Sequence, residues 1–279
     1  MVSVIDINNY SNYNQRTQNY CNPLRGVASY CDYQDIGNPY SKNNNENVNK
    51  TIAAAGILQV VSIALQKASK WCGNKLMRGK EFTTFENVQK VANSMLKDNK
   101  LNIDVHFINP NNINKFSNSL RKSLIPVARG ENAFYMDSLK LAVAPEKKPS
   151  LILHELGHAI NASKGKFLRF MQKSRAYSAY VPTAIFIANN AFKNSGAHSD
   201  FIEKNAGVIG FLSFLPTIIE EGLASLRGVN AAKKVLGKTV SLKALKRNYF
   251  TAWLTYLIAG VGIGVASKLT VLEGKTSNR

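Results

Sequence analysis

The chain carries an HExxH motif, His154-Glu155-Leu156-Gly157-His158. Residues four apart lie one turn apart on the same face of a helix, so His154 and His158 can point two imidazoles at one metal ion. Glu155 lies about 100° round the helix, where its carboxylate can reach a water bound to that ion. Two imidazoles, an open coordination position and a carboxylate base suit zinc-dependent hydrolysis. The motif therefore predicts a helix with a zinc site on one face.

The residues around the motif also favour a buried helix. With 4 histidines and 17 acidic residues among 279, chance would produce the motif with a probability of only about 0.003. Pro149 suits the first turn of a helix, and Gly157 leaves room for a closely packed neighbour. Four aliphatic residues give the helix apolar surface to bury: Leu151, Ile152, Leu153 and Ile160.

Composition narrows the partners and the kind of site. The formal net charge is +19, but we find no basic-aromatic platform and no nucleic-acid-binding motif, so no nucleic-acid partner is expected. The three cysteines, Cys21, Cys31 and Cys72, predict neither a disulfide scaffold nor a CxxC zinc ribbon. Residues 1–50 are polar and show no cleavable signal peptide. Lipid is the better expectation for a partner of the positive charge.

The part of the chain before the motif divides into three segments. Residues 1–50 are predicted to form a flexible polar arm. Residues 51–66 carry no charge and would span about 24 Å as a helix, short of the hydrocarbon layer of about 30 Å. They are expected to form a marginal membrane span or an amphipathic surface helix. Residues 67–175 are predicted to be the catalytic core with the HExxH helix.

Within this core, periodicity predicts a helix, a strand, a helix and a hairpin before the zinc helix. The expected bounds are helices over 82–99 and 111–124, a strand over 101–108, and hairpin strands over 133–136 and 139–144 around Asp137-Ser138. The second hairpin strand, 139–144, is expected to lie beside the metal with an exposed edge for an extended peptide.

Two uncharged runs follow the core, and a third lies near the end. Residues 176–219 are predicted to form a hydrophobic hairpin, with a polar loop over 193–204. The hairpin either crosses the membrane or is buried in a soluble enzyme. A helix over 220–247 is expected to bring the third zinc ligand. Residues 248–279 are predicted to form a hydrophobic helix and tail, and their apolar run of 20 residues meets the length of a span.

The distribution of charge predicts an orientation. Residues 67–175 hold 20 basic and 8 acidic residues, and residues 220–247 hold 7 and 2, whereas loop 193–204 holds 2 and 2. If the runs cross, both basic segments share one side, which the positive-inside rule assigns to the cytoplasm. The tail, 268–279, holds 3 basic and 1 acidic residue and fits poorly outside, so the last run can instead be re-entrant.

A third metal ligand is needed, since two imidazoles hold zinc poorly. The metzincin form is excluded, because Asn161 and Lys164 stand where that form needs glycine and histidine. Glu220 and Glu221 directly follow an apolar run, and two crossings after His158 would return the chain to the zinc side. The alternative for this pair is a solvated helix end.

The sequence resembles a known group of enzymes over about residues 80–235. HELGHAI, two apolar segments and then E-x-x-A-S-x-R, which is Glu221, Ala224, Ser225 and Arg227 here, is similar to the integral-membrane gluzincins of the HtpX and CAAX-prenyl-protease type. It is more similar still to the neutral zinc metallopeptidases of bacterial membranes. The helix–strand–helix–hairpin order before HExxH is also similar to the minimal catalytic core of that group.

The resemblance implies roles for these residues. Zinc would be held by His154, His158 and Glu221, with Glu155 as the base. Ser225 and Arg227 would support the ligands. HtpX-type enzymes have aspartate where this chain has Ser225, and a hydroxyl orients a ligand histidine less strongly than a carboxylate does. This difference bears on the level of activity and not on zinc binding. Four donors remain open for the oxyanion: Tyr177, Tyr180, His198 and Arg227.

The resulting hypothesis is an α+β, mainly helical protein with a minimal zincin core and hydrophobic, membrane-spanning helices. It would be a zinc metallopeptidase of the bacterial inner membrane, with a cytoplasmic active site, a peptide or protein substrate and lipid as a second partner. Two alternatives stay open: a catalytically weak zinc-binding membrane adaptor, and a soluble HExxH peptidase with a buried hairpin. The presence of Glu155 favours an enzyme, because a structural zinc site needs no base.

Overall fold

The computed structural model describes residues 45–194 and 199–277. Most of the expected polar arm over 1–50, with Cys21 and Cys31, lies outside the described residues, as does His198. The described chain is mainly helical with one three-stranded sheet, so the α+β, mainly helical fold class is confirmed.

Up to the HExxH helix, helices and strands follow one another in the order that sequence periodicity predicts. The helices are α1 Asn45–Arg78, α2 Phe85–Asp98, α3 Asn118–Ala128, α4 Leu151–Ser163, α5 Lys166–Ser174, α6 Val181–Asn194, α7 Ser199–Leu236 and α8 Lys243–Ser277. The strands are β1 Asp104–Ile108, β2 Phe134–Met136 and β3 Leu141–Pro145. Short 3-10 helices occupy Ile113–Lys115 and Ser178–Tyr180.

These elements form two compact units, each built from separated stretches of chain. The first contains residues 73–172 and 220–253. The second contains, among the described residues, 45–72, 173–194 with 199–219, and 254–277.

The sheet of the first unit has β3 in its centre. β1 pairs with β3 in parallel, and β2 pairs with β3 antiparallel on the other side. All five residues of β3 are buried. The prediction that residues 139–144 present an exposed edge to a peptide is therefore wrong, because both edges of this strand already carry ladder hydrogen bonds. The outer strands of the sheet are β1 and β2.

Helices cover both faces of this sheet. Alternate residues of a strand face opposite sides, so Ala142 and Ala144 pack in one cluster with Ile152 and Leu156 of α4. The small alanine side chains let α4 lie close to the sheet. The other face packs on α3 through a second cluster of buried residues: Ile108, Leu124, Val127, Leu141 and Val143.

The helix predicted over 111–124 begins and ends later than expected. It starts at Asn118 and ends at Ala128, after the 3-10 turn. The side chain of Asn109 accepts hydrogen bonds from the backbone of Asn111 and Asn112, at 2.8 and 2.9 Å. These bonds satisfy backbone groups without a helix and so compete with one. The hairpin around Asp137-Ser138 is confirmed.

Two helices of the first unit cross with their backbones in contact. A Cβ atom at Gly157 of α4 would collide with the carbonyl oxygen of Ala224 of α7. One turn along, a Cβ at Gly228 would lie 3.0 Å from the carbonyl oxygen of Leu153. The expectation that Gly157 admits a close neighbour is confirmed, and this crossing brings α7 side chains against the HExxH face.

α7 runs without a break through the boundary predicted between a hairpin and a separate helix. It continues from Ile219 into Glu220 and also contains Pro216. The glutamate pair therefore lies inside a long helix, two turns from the crossing at Gly228, rather than at a helix end. A pair of charges does not interrupt helical hydrogen bonding, so sequence alone does not locate this continuity.

The second unit contains closely packed parts of α7 and α8. A Cβ atom at Gly264 would lie 2.7 Å from the carbonyl oxygen of Gly207. A Cβ at Gly210 would meet the Oγ atom of Ser267. Small residues at such positions allow the close backbone approach seen between membrane helices. A small buried cluster completes the packing: Ile185, Ala206 and Val271.

Among the described residues, two helices are long and apolar enough to cross a membrane, Asp200–Leu236 and Lys243–Leu272. α6 has 14 residues and would measure only about 21 Å. The part of 176–192 that is α-helical is thus shorter than the predicted crossing.

Candidate metal centre

Two histidines of α4 and one glutamate of α7 point their ligand atoms at one another. The Nε2 atoms of His154 and His158 lie 3.0 Å apart. Glu221 Oε2 lies 3.2 Å from the first Nε2 and 3.5 Å from the second. All three side chains are buried, and Glu221 is only 1 % exposed. The cluster is one that could hold a metal ion.

The hydrogen bonds of the two imidazoles leave both Nε2 atoms available to a metal. His154 Nδ1 lies 3.1 Å from Ser225 Oγ, and His158 Nδ1 lies 2.9 Å from Glu220 Oε1. A carboxylate only accepts hydrogen bonds, so His158 carries its proton on Nδ1 when it is neutral. If His154 takes the same tautomer, its Nδ1 donates to the hydroxyl oxygen of Ser225. Metal-binding histidines typically have the second ring nitrogen fixed in this way.

These residues fit a zinc ion. Ligand atoms about 2.0–2.1 Å from a tetrahedral zinc lie about 3.3 Å from one another, which matches the 3.0–3.5 Å separations of this cluster. With both Nδ1 atoms protonated, the facing atoms of His154, His158 and Glu221 are all electron-pair donors. Buried donors this close repel one another unless a cation or a proton lies between them. Imidazole and carboxylate ligands are compatible with zinc, though also with other divalent metals.

The two carboxylates near His158 also favour a proton on its imidazole. Burial by itself lowers the pKa of His158, but the charges and hydrogen bonds of Glu220 and Glu221 outweigh burial and raise this pKa well above its usual value. A metal must displace that proton before it binds. Metal affinity should therefore fall as the pH is lowered.

Glu220 is itself held in place by a chain of polar contacts. Asn161 Nδ2 donates to Glu220 Oε1 at 2.8 Å, and Arg227 Nε donates to Asn161 Oδ1 at 2.5 Å. Asn161 lies on α4 three residues after His158, on the same face. Arg227, predicted to support the ligands, thus acts on His158 through Asn161 and Glu220.

Glu155 lies between His154 and His158 in sequence and is 7 % exposed. Tyr249 of α8 packs its ring 5.6 Å from the His154 ring and donates from its hydroxyl to the carbonyl oxygen of Ser150, at 2.7 Å. Ser150 Oγ in turn donates to Glu81 Oε1 at 3.0 Å. These contacts fix the first turn of α4, immediately before His154.

Sequence reasoning placed Glu220 beside the site but did not assign Glu220, Asn161 or Tyr249 a role. Asn161 carried a signal, since it lies one helical turn beyond His158 in the motif helix. Tyr249 carried none, because it is 95 residues from His154 in the chain.

The residues considered for an oxyanion donor do not form one group. Arg227 is bonded to Asn161. Tyr177 and Tyr180 belong to the second unit and are largely exposed. The fourth, His198, is outside the described residues.

Removing the acceptors of the two imidazoles should weaken metal binding. We expect Glu220→Ala and Ser225→Ala each to lower zinc affinity by about 10–100-fold. The loss should be larger for Glu220, because an ionised acceptor makes the stronger hydrogen bond. Competition with a chromophoric chelator measures both affinities. Glu131→Ala and Ser163→Ala, away from the ligands, are matched controls. Wild-type affinity in both test variants would show that these contacts do not orient the ligands.

Comparison of the chain with models of protein families, with curated proteins and with solved structures finds no match.

Proposed function

We propose that the protein is a membrane-anchored, zinc-dependent endopeptidase of the gluzincin type. The observation that carries the proposal is the convergence of His154 Nε2, His158 Nε2 and Glu221 Oε2, with both Nδ1 atoms engaged by hydrogen-bond partners. A carboxylate base, Glu155, is adjacent in the motif. The helix, strand, helix, hairpin and HExxH-helix order of the first unit is the order that the resemblance to membrane gluzincins implies for a minimal zincin core.

Each residue has a role in hydrolysis. A zinc ion held by the three ligands would polarise a bound water and lower its pKa toward about 7. Glu155 would accept the proton of that water as it attacks the peptide carbonyl, and would return it to the leaving amine. Ser225 and Glu220 would keep the imidazoles of His154 and His158 oriented while charge develops.

The edge strand β2, Phe134–Met136, supports binding of an extended peptide. It pairs with β3 on one side only, and no other described strand pairs with it. An added strand can hydrogen-bond to the free main-chain groups of such an edge. α4, which carries both histidines, packs against this strand as well as against β3. A substrate segment would therefore be extended at the point of cleavage.

The number of protein ligands favours an enzyme over an adaptor with structural zinc. Structural zinc sites are usually closed by four protein ligands, whereas catalytic sites keep one position for water. The candidate group among the described residues has three members. A metal-holding adaptor would also have no use for a base at Glu155.

Membrane insertion is supported by the apolar surface of the two long helices. In the most apolar stretch of 18 residues in each helix, 39 % and 50 % respectively is buried within the chain. Much of each stretch therefore remains exposed. Large apolar residues of α7 are exposed in the second unit: Phe201, Val208, Leu212 and Ile219. Such surface is costly in water and favourable in lipid. We propose an inner-membrane protein with the metal site on the cytoplasmic side, where the basic segments lie.

Cysteine labelling tests the membrane orientation. Asp200→Cys and Gln89→Cys, in a background lacking Cys21, Cys31 and Cys72, place thiols at exposed positions. In intact cells an impermeant thiol reagent should label position 200 and spare position 89, and both should react after lysis. Labelling of position 89 alone would reverse the orientation. Labelling of neither would mean that α7 does not cross.

The enzymatic proposal is tested with detergent-purified protein and fluorescein-labelled casein. Cleavage should disappear after treatment with a chelator and should return when zinc is added back, because the three-ligand site would lose and regain its ion. Magnesium is the control metal, since it prefers an all-oxygen octahedral site. Cleavage that persists in the chelator would exclude a metallopeptidase.

A further inference from the structure

The short helix after the motif helix presents bulky aromatic residues on its surface. α5, Lys166–Ser174, follows α4 through Gly165, whose φ of +135° favours glycine and allows the chain to change direction. Phe167 and Phe170 are 72 % and 62 % exposed. Residues three apart lie about 60° apart round a helix, so both rings share one face. Met171 is buried and turns inward.

Lysines flank these rings. Lys166 and Lys173 lie four residues before and three after Phe170, on the same side of the helix, and both are exposed. Arg169 is engaged elsewhere, since its guanidinium donates to the carbonyl oxygen of Ala162. The exposed face thus combines two aromatic rings with two exposed lysine side chains.

The charge of the surrounding chain is uniformly positive. Between Glu155 and Asp200 the sequence contains six lysine and arginine residues and no acidic residue. No carboxylate of this stretch competes for the lysines of α5, which is compatible with an external anion as their partner. Exposed phenylalanines beside lysines on a short helix are typical of helices that lie in the membrane interface, where aliphatic lysine stems reach outward to the phosphates.

We propose that this face of α5 binds the surface of an anionic membrane. Phe167 and Phe170 insert at the boundary between headgroups and acyl chains, and Lys166 and Lys173 contact lipid phosphates. Lipid is favoured over a protein partner because the two rings stand on a convex helix surface with cations beside them. In the part of the chain that the structure describes, two helices are also long and apolar enough to cross a bilayer. The test of this proposal does not depend on peptide hydrolysis, because it measures lipid contact directly.

The test uses the chain of 279 residues reconstituted into vesicles. An environment-sensitive fluorophore is attached to Phe167→Cys, in the background lacking Cys21, Cys31 and Cys72. Gln89→Cys, an exposed position of α2, carries the control label. Vesicles contain either phosphatidylcholine alone or phosphatidylcholine with phosphatidylglycerol. A brominated lipid reports membrane contact by quenching, and aqueous iodide reports exposure to water.

In phosphatidylglycerol vesicles the label at position 167 should emit at shorter wavelength. Brominated lipid should quench it several-fold more than the label at 89, while iodide should quench it less. Replacing Lys166 and Lys173 with glutamine should lower the ratio of membrane-bound to unbound α5 by roughly fivefold per charge. Equal quenching at positions 167 and 89 would overturn the proposal. Lipid quenching that is unchanged when phosphatidylglycerol or the two lysines are removed would also overturn it. Shielding of position 167 that is already present in detergent would indicate a protein partner and would overturn it as well.

Discussion

Glu155→Gln is expected to remove peptide hydrolysis and leave the metal in place. The amide is nearly isosteric with the carboxylate but accepts no proton, and general-base catalysis contributes about 10²–10⁴-fold to the rate. The kcat for labelled casein should fall by about this factor, with zinc content equal to that of the wild type. Both quantities are measured on the same detergent-purified preparation, so loss of activity and loss of metal are separated.

Glu131→Gln is the matched control for this substitution. It is an exposed glutamate of the same compact unit and should keep full activity. Hydrolysis by Glu155→Gln at the wild-type rate would show that Glu155 is not the general base. If the variant instead lost zinc, Glu155 would hold the site together rather than take a proton.

Replacing any one of the three ligands should remove most of the zinc. His154→Ala, His158→Ala and Glu221→Ala each leave a two-ligand site, which holds zinc poorly. Glu220→Ala should retain zinc at saturating concentrations despite its lower affinity, because Glu220 contacts Nδ1 of His158 and not the facing Nε2. Elemental analysis after gel filtration gives the metal content, and far-UV circular dichroism shows whether each variant keeps its helices.

Glu221→Gln provides a second variant at the ligand position. It keeps the size of the side chain inside the closely packed crossing of α4 and α7, so loss of zinc without loss of helicity would mark a ligand rather than a packing residue. Retention of zinc by Glu221→Ala together with loss from Glu220→Ala would reverse the ligand assignment.

The part of the site that sequence predicts well is local. His154 and His158 are four residues apart, and helical geometry alone places them on one face. The order of helices and strands before them also followed from periodicity, since apolar residues at a helical or alternating spacing mark the buried face of each element. The small residue at Gly157 indicated a close neighbour, which proved to be the backbone of Ala224.

The rest depends on contacts between distant parts of the chain. Glu221 lies 67 residues from His154, so the choice of this residue depended on a resemblance and not on spacing. The role of Glu220 follows only from the rotation of α7 that its packing on α4 imposes. Tyr249 reaches the motif helix from α8 across 99 residues. β3 was assigned the wrong exposure, because the parallel partner β1 is separated from it by a helix and a strand.

The pattern of charged and uncharged residues does not predict where the long helices begin and end. An uncharged run ends where the first charge appears, whereas α7 continues past Glu220 and Glu221 to Leu236. α6 shows the opposite deviation, since it starts only at Val181, after a 3-10 turn. Hydrogen bonding and packing determine where a helix ends, and hydropathy reports only which of its faces can leave water.

X-ray absorption at the zinc edge of the purified protein tests the metal centre most directly. We expect two imidazole nitrogens and one carboxylate oxygen from the protein, at about 2.0–2.2 Å, with a further light atom from water. The Glu221→Gln variant should either bind no metal or give a spectrum without the carboxylate oxygen. A sulfur ligand at about 2.3 Å, or a third imidazole in place of the carboxylate, would contradict the assignment of His154, His158 and Glu221.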